Sequence, residues 1–169
     1  MKFEFKTQYT QKELSVMAKV LRKTLRKSIN KKIHILGIFA IILGLLVIIL
    51  EHSLSLRTIM YAISIIVLSM ILIFEDKLNG FLAYKKIVKG MDNVTTVFSD
   101  ESYTSIAELA QTEWKYTSIQ CIAEDDNYFV FIIDNKHGQI YNKHSISNEE
   151  VEKFRIFIED KTNKKIIKI

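Results

Sequence analysis

Ile33 to Leu50 read IHILGIFAIILGLLVIIL, and Thr58 to Phe74 read TIMYAISIIVLSMILIF. His34, near the start of the first run, is the only titratable side chain in either apart from the phenol of Tyr61. A helix needs about 20 consecutive apolar residues to cross the hydrocarbon of a bilayer. These runs lie at the short end of that requirement. They predict two upright spans whose flanking lysines and arginines reach back to the interface. Thr58, Ser64 and Ser69 can bond within their own helix or across to the neighbour, and Gly37 and Gly44 allow close backbone approach. The seven intervening residues, EHSLSLR (51–57), are short enough to force the spans into an antiparallel hairpin. The competing reading, two buried helices of a soluble protein, has to explain two near-consecutive uncharged blocks of this length.

Charge sets the expected orientation. Residues 1–32 carry ten Lys or Arg against two acidic residues, and residues 92–169 carry nine against fourteen. Four lysines (Lys77, Lys85, Lys86, Lys89) follow the second run, whereas the connection between the runs holds only Arg57. Excess basic charge stays cytoplasmic. The expected location is therefore a plasma membrane, multi-pass, with both termini in the cytoplasm. The single cysteine, Cys121, excludes an intrachain disulfide, and the chain has no proline.

The flanks supply the remaining parts. Phe3 and Phe5 alternate with polar residues as in a strand. Thr10 and Glu13 form a capping box, followed by Leu14, Met17, Ala18, Leu21, Leu25 and Ile29 at helical spacing. The basic face of that helix (Lys19, Arg22, Lys23, Arg26, Lys27, Lys31, Lys32) is expected to lie against an anionic inner leaflet. Without interleaved aromatics, nucleic acid is not expected as a partner. After the second run a juxtamembrane helix is expected to end near Gly90. Beyond it the pattern turns β-like: VTTVFS (94–99), a run from Tyr103 to Leu109, another from Trp114 to Ile122, and YFVFII (128–133), which leads through a turn into a returning strand. Ser147 and Glu150 make a second capping box ahead of a helix with Val151, Phe154, Phe157 and Ile158 on one face. The tail KKIIKI either adds a strand or frays, and the N-terminal strand can join the C-terminal sheet from outside.

The expected class is thus an α+β membrane protein. An antiparallel two-helix transmembrane hairpin is joined to a small cytoplasmic antiparallel β domain capped by a C-terminal helix. Its parts are an N-terminal strand and basic helix (1–32), the hairpin (33–74, with spans 33–50 and 58–74), a juxtamembrane helix (75–91) and a β-rich domain (92–169).

In this order the parts resemble the YcxB-like family of bacterial membrane proteins. The residues that carry the resemblance are Phe3 and Phe5, Thr10, the two spans, Phe98-Ser99-Asp100-Glu101, Trp114, Lys115, Tyr116 and Ile119, the β-hairpin, and Phe154. The proline common before the last helix in that family is missing from Tyr141–His144. The resemblance implies a pleckstrin-homology-like β-barrel capped by a helix, and it brings no catalytic residues. The acidic balance of residues 92–169 argues against phosphoinositide binding there.

Chemistry-bearing constellations are sparse. His34, His52, His137 and His144 are scattered, Cys121 sits in an expected strand, and Glu124-Asp125-Asp126 reads as a solvated turn. No enzymatic activity, cofactor or metal is expected. Trp114 and Tyr116 are core by default, with an exposed docking pair as the alternative. The expectation is a non-enzymatic membrane protein that presents an interaction or envelope-sensing module to a protein partner. An immunity protein against a membrane-active toxin or bacteriocin, or a subunit of an oligomeric transporter or channel, stay open, as does homo-oligomerisation.

Overall fold

Phe3, Phe5 and Thr7 point to one side and Glu4, Lys6 and Gln8 to the other, the two-residue period of a half-buried strand. In the structure, a computed structural model that describes residues 2–51 and 55–169, they form β1 (Phe3–Gln8). β1 pairs antiparallel with β2 (Asn93–Phe98) in continuous register from Phe3↔Phe98 to Gln8↔Asn93. Tyr9 N–H donates to the carbonyl of Asp92 at 2.6 Å just beyond that register. The whole helical region is therefore inserted into what is otherwise a β-hairpin. β3 (Ser102–Ile106) and β4 (Gln111–Lys115) complete a sheet of order β1-β2-β3-β4.

A second sheet has the order β7-β6-β5-β8. It contains β5 (Cys121–Glu124), β6 (Tyr128–Ile132), β7 (Gly138–Asn142) and β8 (Ile166–Lys168). The tail thus adds a strand, and it runs parallel to β5, the one departure from an antiparallel domain among the described strands. The expected single strand from Trp114 to Ile122 is two strands in different sheets. Tyr116, in the 3-10 turn between them, drops into the core, and its hydroxyl donates to the Ser99 carbonyl at 2.5 Å.

Between the sheets lies an aromatic core. α5 (Asn148–Thr162) starts at the Ser147/Glu150 capping box and pushes Phe154 into the centre. The ring of Phe154 lies 4.7 Å from Phe5, 4.9 Å from Phe98 and 5.2 Å from both Phe3 and Phe129. The outer face of the second sheet is covered as well. α1 (Gln11–Lys23) lays Val20 and Leu21 on Tyr128, Val130, Ile132 and Ile140. β6 is consequently buried on both faces, which accounts for its continuous apolar run.

α2 (Lys27–Leu50) and α3 (Leu56–Ile73) form the expected helix pair. Gly37 faces Leu72 and Gly44 faces Ile65 across it. His52, Ser53 and Leu54 of the expected turn lie outside the described residues. The expected continuous helix from Thr10 through Ile29 is broken at residues 24–26. Thr24 Oγ1 turns back to the Val20 carbonyl (2.7 Å), and Arg26 Nε donates to the Asn135 carbonyl (2.7 Å). Lys27, Lys31 and Lys32 therefore belong to the start of α2. α4 (Glu75–Tyr84) packs antiparallel on α1 and ends well before Gly90, whose φ of +88° instead serves the turn into β2.

Candidate membrane-interface site

Three helix ends converge where α2 enters and α3 leaves the apolar pair. Two acids at the start of α4 tie them together. Asp76 receives a bidentate pair from Arg22 of α1 (Nε–Oδ1 2.7 Å, Nη2–Oδ2 2.6 Å). Glu75 accepts from Asn30 Nδ2 (2.6 Å) and lies 2.8 Å from His34 Nε2, both on α2. These acids also stand at a helix N-terminus, where the backbone dipole favours negative charge. Asn30 is buried, although it lies in the most basic part of the chain.

Beside this network, α1 and the α3–α4 junction enclose an open cavity of about 700 Å³. Its floor is Val16, Ile73 and Phe74, and its rim carries Lys12, Lys19 and Lys77, with Gln11, Ser15 and the already paired Asp76. Lys77 Nζ sits 5.6 Å from the centre of the Phe74 ring, and Lys12 Nζ 6.0 Å from that of Tyr128. Among the described residues no carboxylate lies within ion-pair distance of Lys12, Lys19 or Lys77.

Of the seven basic residues expected on the membrane face, Lys19 lines the cavity, Arg22 is paired with Asp76, Arg26 holds the Asn135 carbonyl, and Lys23, Lys27, Lys31 and Lys32 are exposed. The apolar stripe of α1 does not face lipid: Leu14, Val20 and Leu21 are covered by the sheet and α4. Trp114 is partly buried against the core, and Tyr116, 5% exposed, is part of it. These aromatics pack the interior. Lys12 was not among the expected basic residues because it precedes the basic cluster, and Lys77, which follows the second apolar run, counted in the sequence only toward orientation. Only the fold sets them on one rim.

The other chemistry-bearing side chains have structural partners. His137 Nδ1 lies 2.7 Å from Asp134 Oδ2 in the β6–β7 turn, and His144 Nε2 lies 3.0 Å from Asn127 Oδ1. His52 is outside the described residues. Burial pushes the Cys121 thiol up, the reverse of an activated thiolate. The acidic triplet is divided. Asp125 caps its own turn, accepting from the amides of Asn127 and Tyr128. Glu124, expected in solvent, is 4% exposed on β5. It pairs with buried Lys143 and with Arg155 of α5 (Nε–Oε2 2.9 Å). Burial raises its pKa, but the hydrogen bonds from Arg155 and Lys143 outweigh this and leave it below the usual carboxylate range.

Residues 98–158 match the family model described as YcxB-like protein. The matched stretch runs from the last residue of β2 into α5. It holds the core aromatics Phe98, Tyr103, Phe129, Phe131, Tyr141 and Phe154, and it leaves out β1 and all of α1–α4. No curated protein matches the chain.

Proposed function

We propose that this chain is a two-span protein of a bacterial cell membrane, with both ends cytoplasmic. Its hairpin holds a pleckstrin-homology-like module at the inner leaflet as a non-enzymatic docking or sensing platform for a protein partner. One observation carries the reading. The most apolar 18 residues of α2 have a mean hydropathy of 3.1 and none is buried by protein; those of α3 have 2.2, with 6% buried. A core helix of a soluble protein would be covered, and soluble monomers rarely expose a contiguous apolar patch beyond a few hundred Å². Hydrocarbon is the solvent that such a surface fits.

Two further features support the topology. The β1–β2 register joins the chain before the hairpin to the chain after it, so both flanks belong on one side of a bilayer. The far end carries only Arg57, paired with Glu51 (Nη2–Oε1 2.5 Å), against the many lysines and arginines of the other end, and that imbalance supports a cytoplasmic position for the lysine-rich end. The module reading draws on two four-stranded sheets closed around the buried face of α5. The non-enzymatic reading draws on the structural partners that already occupy His137, His144 and Glu124.

Thiol labelling in intact cells tests the topology. In a Cys121→Ser background, a membrane-impermeant maleimide should reach Ser55→Cys from outside, and Lys136→Cys only after lysis. Labelling of Lys136→Cys in intact cells, or release of the chain from membranes by alkaline carbonate, would overturn the proposal. For the partner, a photo-crosslinker on the exposed strand β4 should give one defined adduct in cells. Adducts spread evenly over abundant proteins would remove the docking role.

A further inference from the structure

We infer that the cavity between α1 and the α3–α4 junction binds one anionic phospholipid of the surrounding bilayer, its phosphate held by Lys12, Lys19 and Lys77 and its chains laid on Ile73 and Phe74. This rests on the membrane reading above and adds a discrete site to it. The volume of about 700 Å³ falls within the range of roughly 300–1,000 Å³ typical of small-ligand sites. Its chemistry is that of an amphiphile's two ends. Three ammonium groups without a carboxylate partner stand on the rim, and the one acid in the wall, Asp76, is neutralised from behind by Arg22.

The floor continues into the exposed surface of the helix pair. Ile73 is 73% exposed and Phe74 48% exposed, and they end the apolar run of α3. A ligand seated here has its charged group at the level where α3 leaves the apolar layer and its apolar part running back along α3. A free phosphate would satisfy the lysines and leave Val16, Ile73 and Phe74 wet. An acidic peptide would have to enter the interface edge-on. The lipid alone matches both surfaces.

The test uses the full chain purified in mixed micelles containing equal amounts of phosphatidylglycerol and phosphatidylcholine, with the bound lipid identified by native mass spectrometry. The wild-type chain should retain phosphatidylglycerol preferentially. The triple variant Lys12→Gln, Lys19→Gln, Lys77→Gln should retain about tenfold less, since it removes the charge-assisted hydrogen bonds to the phosphate. Lys27→Gln, Lys31→Gln, Lys32→Gln removes the same charge from α2, away from the cavity, and should leave retention unchanged. Equal loss in both triples would show general electrostatics and overturn the site. Displacement of the lipid by an equal concentration of glycerol 3-phosphate would show an anion site without a lipid floor and overturn the occupant. A chain that needs no detergent sinks the membrane reading itself. A chain that stays in the micelle with unaltered lipid in the first triple sinks the site alone.

Discussion

Glu13 serves two structures at once. One carboxylate oxygen closes the capping box of α1 by accepting from the Thr10 amide at 3.1 Å, and the other accepts from the Tyr128 hydroxyl on β6 at 2.6 Å. Burial raises its pKa, and the bonds from Thr10 and Tyr128 more than reverse this, so the carboxyl sits below its ordinary value, as Glu124 does. A carboxylate whose folded pKa is depressed stabilises the fold above its unfolded value. That contribution is lost as pH falls through the folded pKa. The melting temperature should therefore be flat from neutral pH down to about 5 and should drop below about 4.5. Glu124→Gln, read in the same titration, should make the acid limb shallower. Glu124→Ala should cost roughly 3–5 kcal/mol, because it strands Lys143 in the interior without its counter-charge; denaturant unfolding measures this. Gly80 gives a steric prediction. A Cβ there would lie 2.6 Å from the Ser15 amide nitrogen and 2.7 Å from its Cα. Gly80→Ala should push α4 off α1 at a cost of about 1–3 kcal/mol or more, seen as a lower melting midpoint in detergent.

Among the elements, α1 and α5 seal opposite faces of the same sheet. Phe154 is the central contact of α5, touching Phe3, Phe5, Phe98 and Phe129 from four strand positions. Phe154→Ala should cost about 3–5 kcal/mol and abolish the near-ultraviolet dichroism of the aromatic core. The capping boxes at Thr10/Glu13 and Ser147/Glu150 were legible in the sequence because all their partners lie within one turn. The break at residues 24–26 was not. Neither glycine nor proline marks it, and it exists because α1 has to stay on the sheet while α2 turns away. Likewise, nothing local separates β4 from β5. Their division follows from Tyr116 entering a core built by strands on both sides of it.

For the whole molecule, the decisive feature is the insertion of residues 10–91 between two paired strands. A fragment of residues 93–169 lacks Phe3 and Phe5 and leaves β2 as an open edge. It should show no cooperative thermal unfolding by circular dichroism. Joining Gln8 to Asn93 through a short Asn-Gly turn should restore a cooperative transition, because these residues are already register partners. A joined fragment that melted no more cooperatively than residues 93–169 alone would show that α1, not β1, is the missing part.

The sequence alone determined the two long apolar helices, their capped companions and most strands. Each of these is written in side-chain periodicity and composition over a few turns of chain, and such signals need no knowledge of the rest of the molecule. Only the tertiary structure decided that the N-terminal strand completes the C-terminal sheet, that Glu124 is a buried ion-pair centre, and that Lys12, Lys19 and Lys77 share one rim over an apolar floor. Those facts depend on packing between residues far apart in the chain, and no local pattern encodes which distant surfaces will meet.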